Sequence, residues 1–172
     1  MTEGLLKGKR GIVFGALNDK SIAWHVALKA WQNGAELILT NSPVAVRMGT
    51  INELAEKTSS SVIVADATSM NDIDRLIVQS MEIFGGRFDF ILHSIGMSPN
   101  VRKDIPYENT SYENMLKTLD ISALSFHRVL QTAYKYDSIN EWGSVVALSY
   151  VAAQRTLAGY NDMGDAKALL ES

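Results

Sequence analysis

Two side chains that could do chemistry stand seven residues apart late in the sequence, Tyr160 and Lys167. On an α-helix that spacing is close to two turns, so both lie on one face, about 10 Å apart along the axis. A phenol near an ammonium has its ionised form favoured, which lowers its pKa and makes it a better proton donor or oxyanion partner near neutral pH. The ammonium can meanwhile hold a ribose. A tyrosine and a lysine at this spacing are ordinarily two solvated surface residues. Position singles this pair out: it follows the apolar run Ser144–Leu148 and its loop, and the C-terminal ends of strands are where doubly wound folds bind ligands. Tyr150 closes the same run, in Ala147-Leu148-Ser149-Tyr150, either as packing at a strand end or as a third member of the group.

A second constellation suits anion binding. The run Gly11–Phe14 leads into Gly15-Ala16-Leu17-Asn18-Asp19-Lys20-Ser21-Ile22-Ala23. A strand, a glycine turn and a helix starting near Ser21 aim unpaired helix amides and the positive end of the helix dipole at a phosphate. Gly15 lets the backbone turn sharply, and small Ala23 lets the helix lie close on the strand. The usual G-x-G-x-x-G is absent, and only its first glycine is present. The run Glu36–Thr40 ends in Leu39-Thr40-Asn41, without the carboxylate that holds an adenosine ribose in NAD sites. That leaves NADH and NADPH both open.

The elements that must position these residues follow from pattern. Five short apolar runs, Gly11–Phe14, Glu36–Thr40, Ser61–Ala65, Phe88–His93 and Ser144–Leu148, show no polar–apolar alternation. Continuous apolarity implies strands covered on both faces, as in a parallel sheet between helices. Helical segments lie between them. Ser21 to Asn33 carries Ile22, Val26, Ala30 and Trp31 near one face and stops at Asn33-Gly34. Arg47 to Lys57 predicts a shorter helix. Ser69 to Asp72 resembles a capping box opening a helix that ends at Gly85-Gly86. One long helix is predicted from Ser111 to about Tyr136, and another from Gly159 onward. Pro99 to Pro106 reads as a long loop after the fourth strand. The order βαβαβαβαβα predicts an α/β fold with a doubly wound parallel sheet in a three-layer αβα sandwich, Rossmann-like, of at least five strands.

Composition narrows the function classes. A length of 172 residues suits one domain. With 47% apolar and 20% charged residues the chain is ordinary globular protein rather than disordered or fibrous. A net charge of −3 with interspersed signs is not the footprint of a nucleic-acid binder. Without cysteine there are no disulfides or thiolate metal sites, and His25, His93 and His127 have no metal-ligand spacing, so no metal is expected. The polar start, Met1 to Lys9, has no signal-peptide core, and no apolar run approaches the roughly 20 residues of a membrane span. A soluble cytoplasmic protein is the expectation.

With these motifs in place the sequence resembles the short-chain dehydrogenase/reductase family, through Tyr160 and Lys167. Four further features resemble its divergent branch, the bacterial enoyl-acyl-carrier-protein reductases. They are the Gly15-x5-Ser21-x-Ala23 turn; Asp89-Phe90-Ile91-Leu92-His93-Ser94-Ile95-Gly96; Leu148-Ser149-Tyr150, its tyrosine ten residues before Tyr160; and Tyr160-Asn161-Asp162-Met163-Gly164-Asp165-Ala166-Lys167. The resemblance implies that Gly15, Ser21 and Ile22 line a pyrophosphate, that Asp66 and Ala67 meet the adenine, and that Ser94, Ile95 and Gly96 run beside the nicotinamide ribose, which Lys167 binds. It implies hydride transfer from NADH or NADPH to C3 of a trans-2-enoyl thioester carried on acyl carrier protein, in fatty acid synthesis. Tyr160 would hold the thioester oxygen and Tyr150 would border the acyl pocket. A homotetramer is implied as well. Family members continue through two more strands, a Gly-Pro-containing segment and a substrate lid, so the expectation is a single dinucleotide-binding domain over 1–172 that is the front portion of a longer enzyme. The competing readings are a related enzyme acting on a carbonyl or alcohol and a non-catalytic dinucleotide-binding module.

Overall fold

The computed structural model describes residues 4–172. Five parallel strands form one sheet in the order β3-β2-β1-β4-β5: β1 (Arg10–Phe14), β2 (Glu36–Thr40), β3 (Ser61–Val62), β4 (Phe88–His93) and β5 (Ile139–Ala147). The order reverses beside β1, with β2 on one side and β4 on the other. That is the switch point at which doubly wound sheets open a crevice.

Alternate residues of the central strands feed two cores, one on each face of the sheet. Ile12, Phe14, Ile38 and Ile91 pack with Ile73, Leu76 and Ile77 of α4 (Met70–Phe84) and Val129 of α7 (Ser125–Lys135). Val13, Leu37, Leu39 and Leu92 pack with Ala23, Trp24 and Ala27 of α1 (Ile22–Gln32) and with Leu54 of α3 (Ile51–Thr58). Helices thus cover both faces, and the chain is the three-layer Rossmann-like fold that its apolar runs predict.

The structure corrects several expected elements. The inward face of α1 is Ala23, Trp24, Ala27 and Ala30, while Ile22, Val26 and Trp31 are largely exposed. The buried face is thus the one carrying three alanines and Trp24, small side chains letting the helix axis approach the sheet, and not the one carrying Ile22, Val26 and Trp31. The helix expected over 47–57 is two, α2 (Pro43–Met48) and α3, parted at Gly49 and Thr50. Pro99 to Pro106 is not all loop. Ser98 accepts the Val101 amide and opens α5 (Pro99–Arg102). The predicted long helix is α6 (Tyr112–Leu119) running into α7 through a π-helical turn over Asp120–Leu124. The fifth strand is longer than its apolar run and, among the described residues, pairs with β4 alone, with Val146 half exposed. Its pairing with β4 shifts register between Phe88 and Phe90, where Trp142 takes a left-handed conformation. The third strand pairs only at Ser61 and Val62, although the Ile63 and Ala65 amides still donate to Leu39 and Asn41 beside it.

Candidate active site

Everything that could do chemistry gathers at the C-terminal ends of the strands. The turn after β1 is held from both sides. The Gly15 amide donates to the Thr40 carbonyl of β2 at 3.1 Å, and the Asn41 side-chain amide donates to the Ala16 carbonyl at 3.1 Å. Ser21 precedes α1 and closes the turn: its hydroxyl donates to the Asn18 carbonyl at 2.7 Å and accepts from the Leu17 amide at 3.2 Å. Gly15 has φ +89, and a Cβ there would stand 1.9 Å from the Ser94 carbonyl oxygen. Both the backbone conformation and the close approach of the β4 loop therefore require glycine. Ala23 is fully buried against this turn, as its size predicts.

The loop after β4 is gripped by the end of the chain. Lys167, on α8 (Asn161–Glu171), is 6% exposed. Its Nζ donates to the Ile95 carbonyl at 3.0 Å and to the Leu148 carbonyl at 2.8 Å. The ammonium thus ties the loop after β4 to the loop after β5. Burial lowers its pKa from the ordinary 10.5. A Cβ at Gly96 would stand 3.7 Å from Nζ and 3.8 Å from the Met163 methyl, so the missing side chain leaves open space over the ammonium. Beneath the site, His93 is fully buried and bonds Ser125 Oγ through Nε2 at 2.9 Å. Burial, with a contribution from the Lys167 charge, lowers its pKa from 6.5 to about 4.

Tyr160 is not within α8 but caps it, at φ −96 and ψ −9. Its ring lies 4.8 Å from that of Tyr150, tilted by 36°. Burial, reinforced by repulsion from Tyr150, raises the Tyr160 pKa above its ordinary 10.0. This is opposite to the direction expected from a neighbouring ammonium: burial and Tyr150 set it. Tyr150 belongs to a loop that Ser149 fastens to α8, by donating to Glu171 at 2.5 Å. A surface hollow of about 600 Å³ borders Tyr160, lined also by Tyr107, Ala152, Leu157, Gly164 and Ala168. A hollow of about 660 Å³ lies at the other end of β5, between Leu130, Tyr134 and Ile139, away from these groups.

The remaining expected residues fall along the same edge. Ile22, the first residue of α1, is exposed. Asp66 and Ala67 follow β3, two strands from β1. One Asp66 oxygen accepts from both the amide and the hydroxyl of Thr68, at 2.9 and 2.8 Å. Sequence reasoning missed a polar cluster beside the lysine. Asp162 is 2% exposed and accepts from Ser98 Oγ at 2.7 Å, Asn100 Nδ2 at 3.0 Å and Thr118 Oγ1 at 2.7 Å. Its partners come from positions 44 to 64 residues away, and a carboxylate in a first helical turn is unremarkable by itself. Ser122, in the π-helical turn, was missed too. Its hydroxyl accepts from the Met97 amide at 2.9 Å and donates to the Met97 carbonyl at 3.1 Å.

A family model described as Enoyl-(Acyl carrier protein) reductase matches residues 15–172. The "Enoyl-[acyl-carrier-protein] reductase [NADH] FabI" of Rickettsia bellii is 37% identical, over 100% of this chain and 64% of its own length. The "Enoyl-[acyl-carrier-protein] reductase [NADH] 1" of Rhizobium meliloti is 35% identical, over 98% of this chain and 61% of its own. A crystal structure of FabI from Alistipes finegoldii is 63% identical with a TM-score of 0.95, covering 98% of this chain and 65% of that one. Its complex with NADH is 64% identical, also with a TM-score of 0.95, over 96% of this chain and 59% of that one. The chain therefore spans somewhat under two thirds of the length of these relatives, and it belongs to the enoyl-acyl-carrier-protein reductase family.

Proposed function

We propose that the protein is an enoyl-acyl-carrier-protein reductase of fatty acid synthesis, taking NADH and a trans-2-enoyl thioester on acyl carrier protein. The observation that carries this reading is Lys167, buried with two of its three N–H donors on backbone carbonyls. The third donor is free for a ligand hydroxyl, next to the space that Gly96 leaves. That arrangement fits a ribose. The turn after β1, ending at the N-terminus of α1, fits a pyrophosphate. In the same proposal Gly15, Ser21 and Ile22 line the pyrophosphate, and Asp66 and Ala67 meet the adenine. Ser94, Ile95 and Gly96 flank the nicotinamide ribose. The bracketed names of the relatives favour NADH over NADPH.

The dinucleotide supplies the hydride when bound. The chain's own residues do the rest. Lys167 orients the ribose and holds the two loops in register. Tyr160, kept neutral by its raised pKa, donates a hydrogen bond to the thioester oxygen, where negative charge accumulates as C3 accepts hydride. Tyr150 packs against the Tyr160 ring, limits its motion and borders the acyl chain. No helix among the described residues is long and apolar enough to cross a membrane. A cytoplasmic homotetramer completes the proposal. The test is NADH oxidation by the full-length protein with crotonyl thioester. Turnover supports the reading, and turnover of ketones alone would replace it with carbonyl reduction.

A further inference from the structure

Ile95 to Asn100, the segment following β4, is fastened to the protein at three successive places. Lys167 takes the Ile95 carbonyl. Ser122 takes both the amide and the carbonyl of Met97. Asp162 takes the side chains of Ser98 and Asn100. The first and last of these grips come from α8, at its seventh and second residues.

Asp162 is the hub of the third grip. One carboxylate oxygen accepts from Ser98, whose hydroxyl also accepts the Val101 amide at 3.0 Å and so starts α5. The other accepts from Asn100 and from Thr118 of α6. Asn100 in turn pairs with the backbone of Ser111 and with Asn114, while the single Thr118 hydroxyl hydrogen is shared between Asp162 and the Asn114 carbonyl. Next to Asp162, Asn161 donates to the Ile105 carbonyl at 2.7 Å. A carboxylate is costly to bury unless its oxygens are taken up. Here three donors from two other helical elements meet it. Tyr160 is two residues before Asp162, so any displacement of the first turn of α8 carries the phenol with it.

We propose that Asp162 is a positioning residue: by gathering Ser98, Asn100 and Thr118, its buried carboxylate fixes where the first turn of α8, and with it Tyr160, stands against the segment that follows β4. Asp162 touches neither substrate nor cofactor and acts through Tyr160. The proposal rests on the enoyl-reductase reading for its kinetic consequence, although not for its geometry.

The test uses the full-length enzyme and compares Asp162→Val with Asp162→Asn, rates being normalised to titrated NADH-binding sites so that loss of folded protein does not count. A misplacement of about 1 Å in a reacting group can cost on the order of 10²-fold in rate. Asp162→Val is expected to lower kcat by that order and to change KM for crotonyl thioester less than about threefold. In Asp162→Asn the amide oxygen still accepts from Thr118 and Asn100, and kcat is expected to recover at least about tenfold over the valine variant. Wild-type kcat per NADH site in Asp162→Val, or no recovery in Asp162→Asn, overturns the proposal. Amide hydrogen exchange gives an answer independent of turnover. Met97 to Asn100 and the first turn of α8 should exchange faster in Asp162→Val, with the amides of β1 unchanged. Uniform acceleration throughout the chain, or none, overturns it equally. If the wild type itself fails to reduce crotonyl thioester, the enoyl-reductase reading falls and the exchange pattern alone judges Asp162.

Discussion

The Tyr160 phenol is neutral at physiological pH, since burial and Tyr150 both hold its pKa above 10. The kcat for enoyl reduction should therefore be flat through neutral pH and fall only under strongly alkaline conditions. Tyr160→Phe should lower kcat about 10²–10³-fold, the usual loss for one donor to a developing oxyanion, with NADH affinity unchanged in calorimetry. Equal rates would remove Tyr160 from the mechanism. Lys167→Ala should weaken NADH binding and kcat together, because it frees the Ile95 and Leu148 carbonyls as well as the ribose. His93 makes a prediction about stability. Its folded pKa of about 4 lies below the unfolded 6.5, so between those values the unfolded chain binds a proton that the folded chain refuses. Stability present above pH 6.5 is lost as pH falls toward 4, by roughly 3 kcal/mol at 1.36 kcal/mol per pKa unit. His93→Gln should flatten that acid limb in denaturant titrations, and an unchanged slope would assign it to other groups. Tyr160 and Lys167 were legible as candidates from their place along the chain, although Tyr160 precedes α8 and does not lie on its face. The direction of the phenol's pKa was not, because it depends on burial and on the nearness of Tyr150. Nor was Asp162, whose meaning lies wholly in distant partners.

At the scale of elements, apolar runs marked the strands well because buried parallel strands carry little else. Helix faces were harder to read. In α1 the alanines are buried while Ile22 and Trp31 are exposed, and a hydrophobicity pattern ranks those residues the other way round. Breaks in helices were invisible where they depend on tertiary bonds. The π-helical turn between α6 and α7 is where Ser122 reaches Met97. The turn after β1 was read correctly from its glycine and tests directly. Gly15→Val adds a residue with positive φ, at about 1–3 kcal/mol, and drives a Cβ into the Ser94 carbonyl. The loops after β1 and β4 should separate, and NADH affinity in the full-length enzyme should fall about tenfold or more. Unchanged affinity in a folded variant would show that the turn is not the phosphate site.

For the whole molecule, the sheet order places β5 at an edge, paired among the described residues with β4 alone. Trp142 and Val146 are exposed along it. An open, partly apolar strand edge is a template for association. Residues 1–172 expressed alone should therefore form oligomers or aggregates by light scattering, and a stable monomer would show the edge to be protected. The long reach of the Lys167 contact has a further consequence, in time. Ile95 and Lys167 are 72 residues apart. A ribosome adding about 5–20 residues per second makes the carbonyl roughly 4–14 s before the ammonium that will hold it. Until Lys167 is made, the Ile95 carbonyl lacks this donor. The contact that ties the loop after β4 to the loop after β5 thus forms late, and a pause in translation before codon 167 prolongs the time for which those loops lack it.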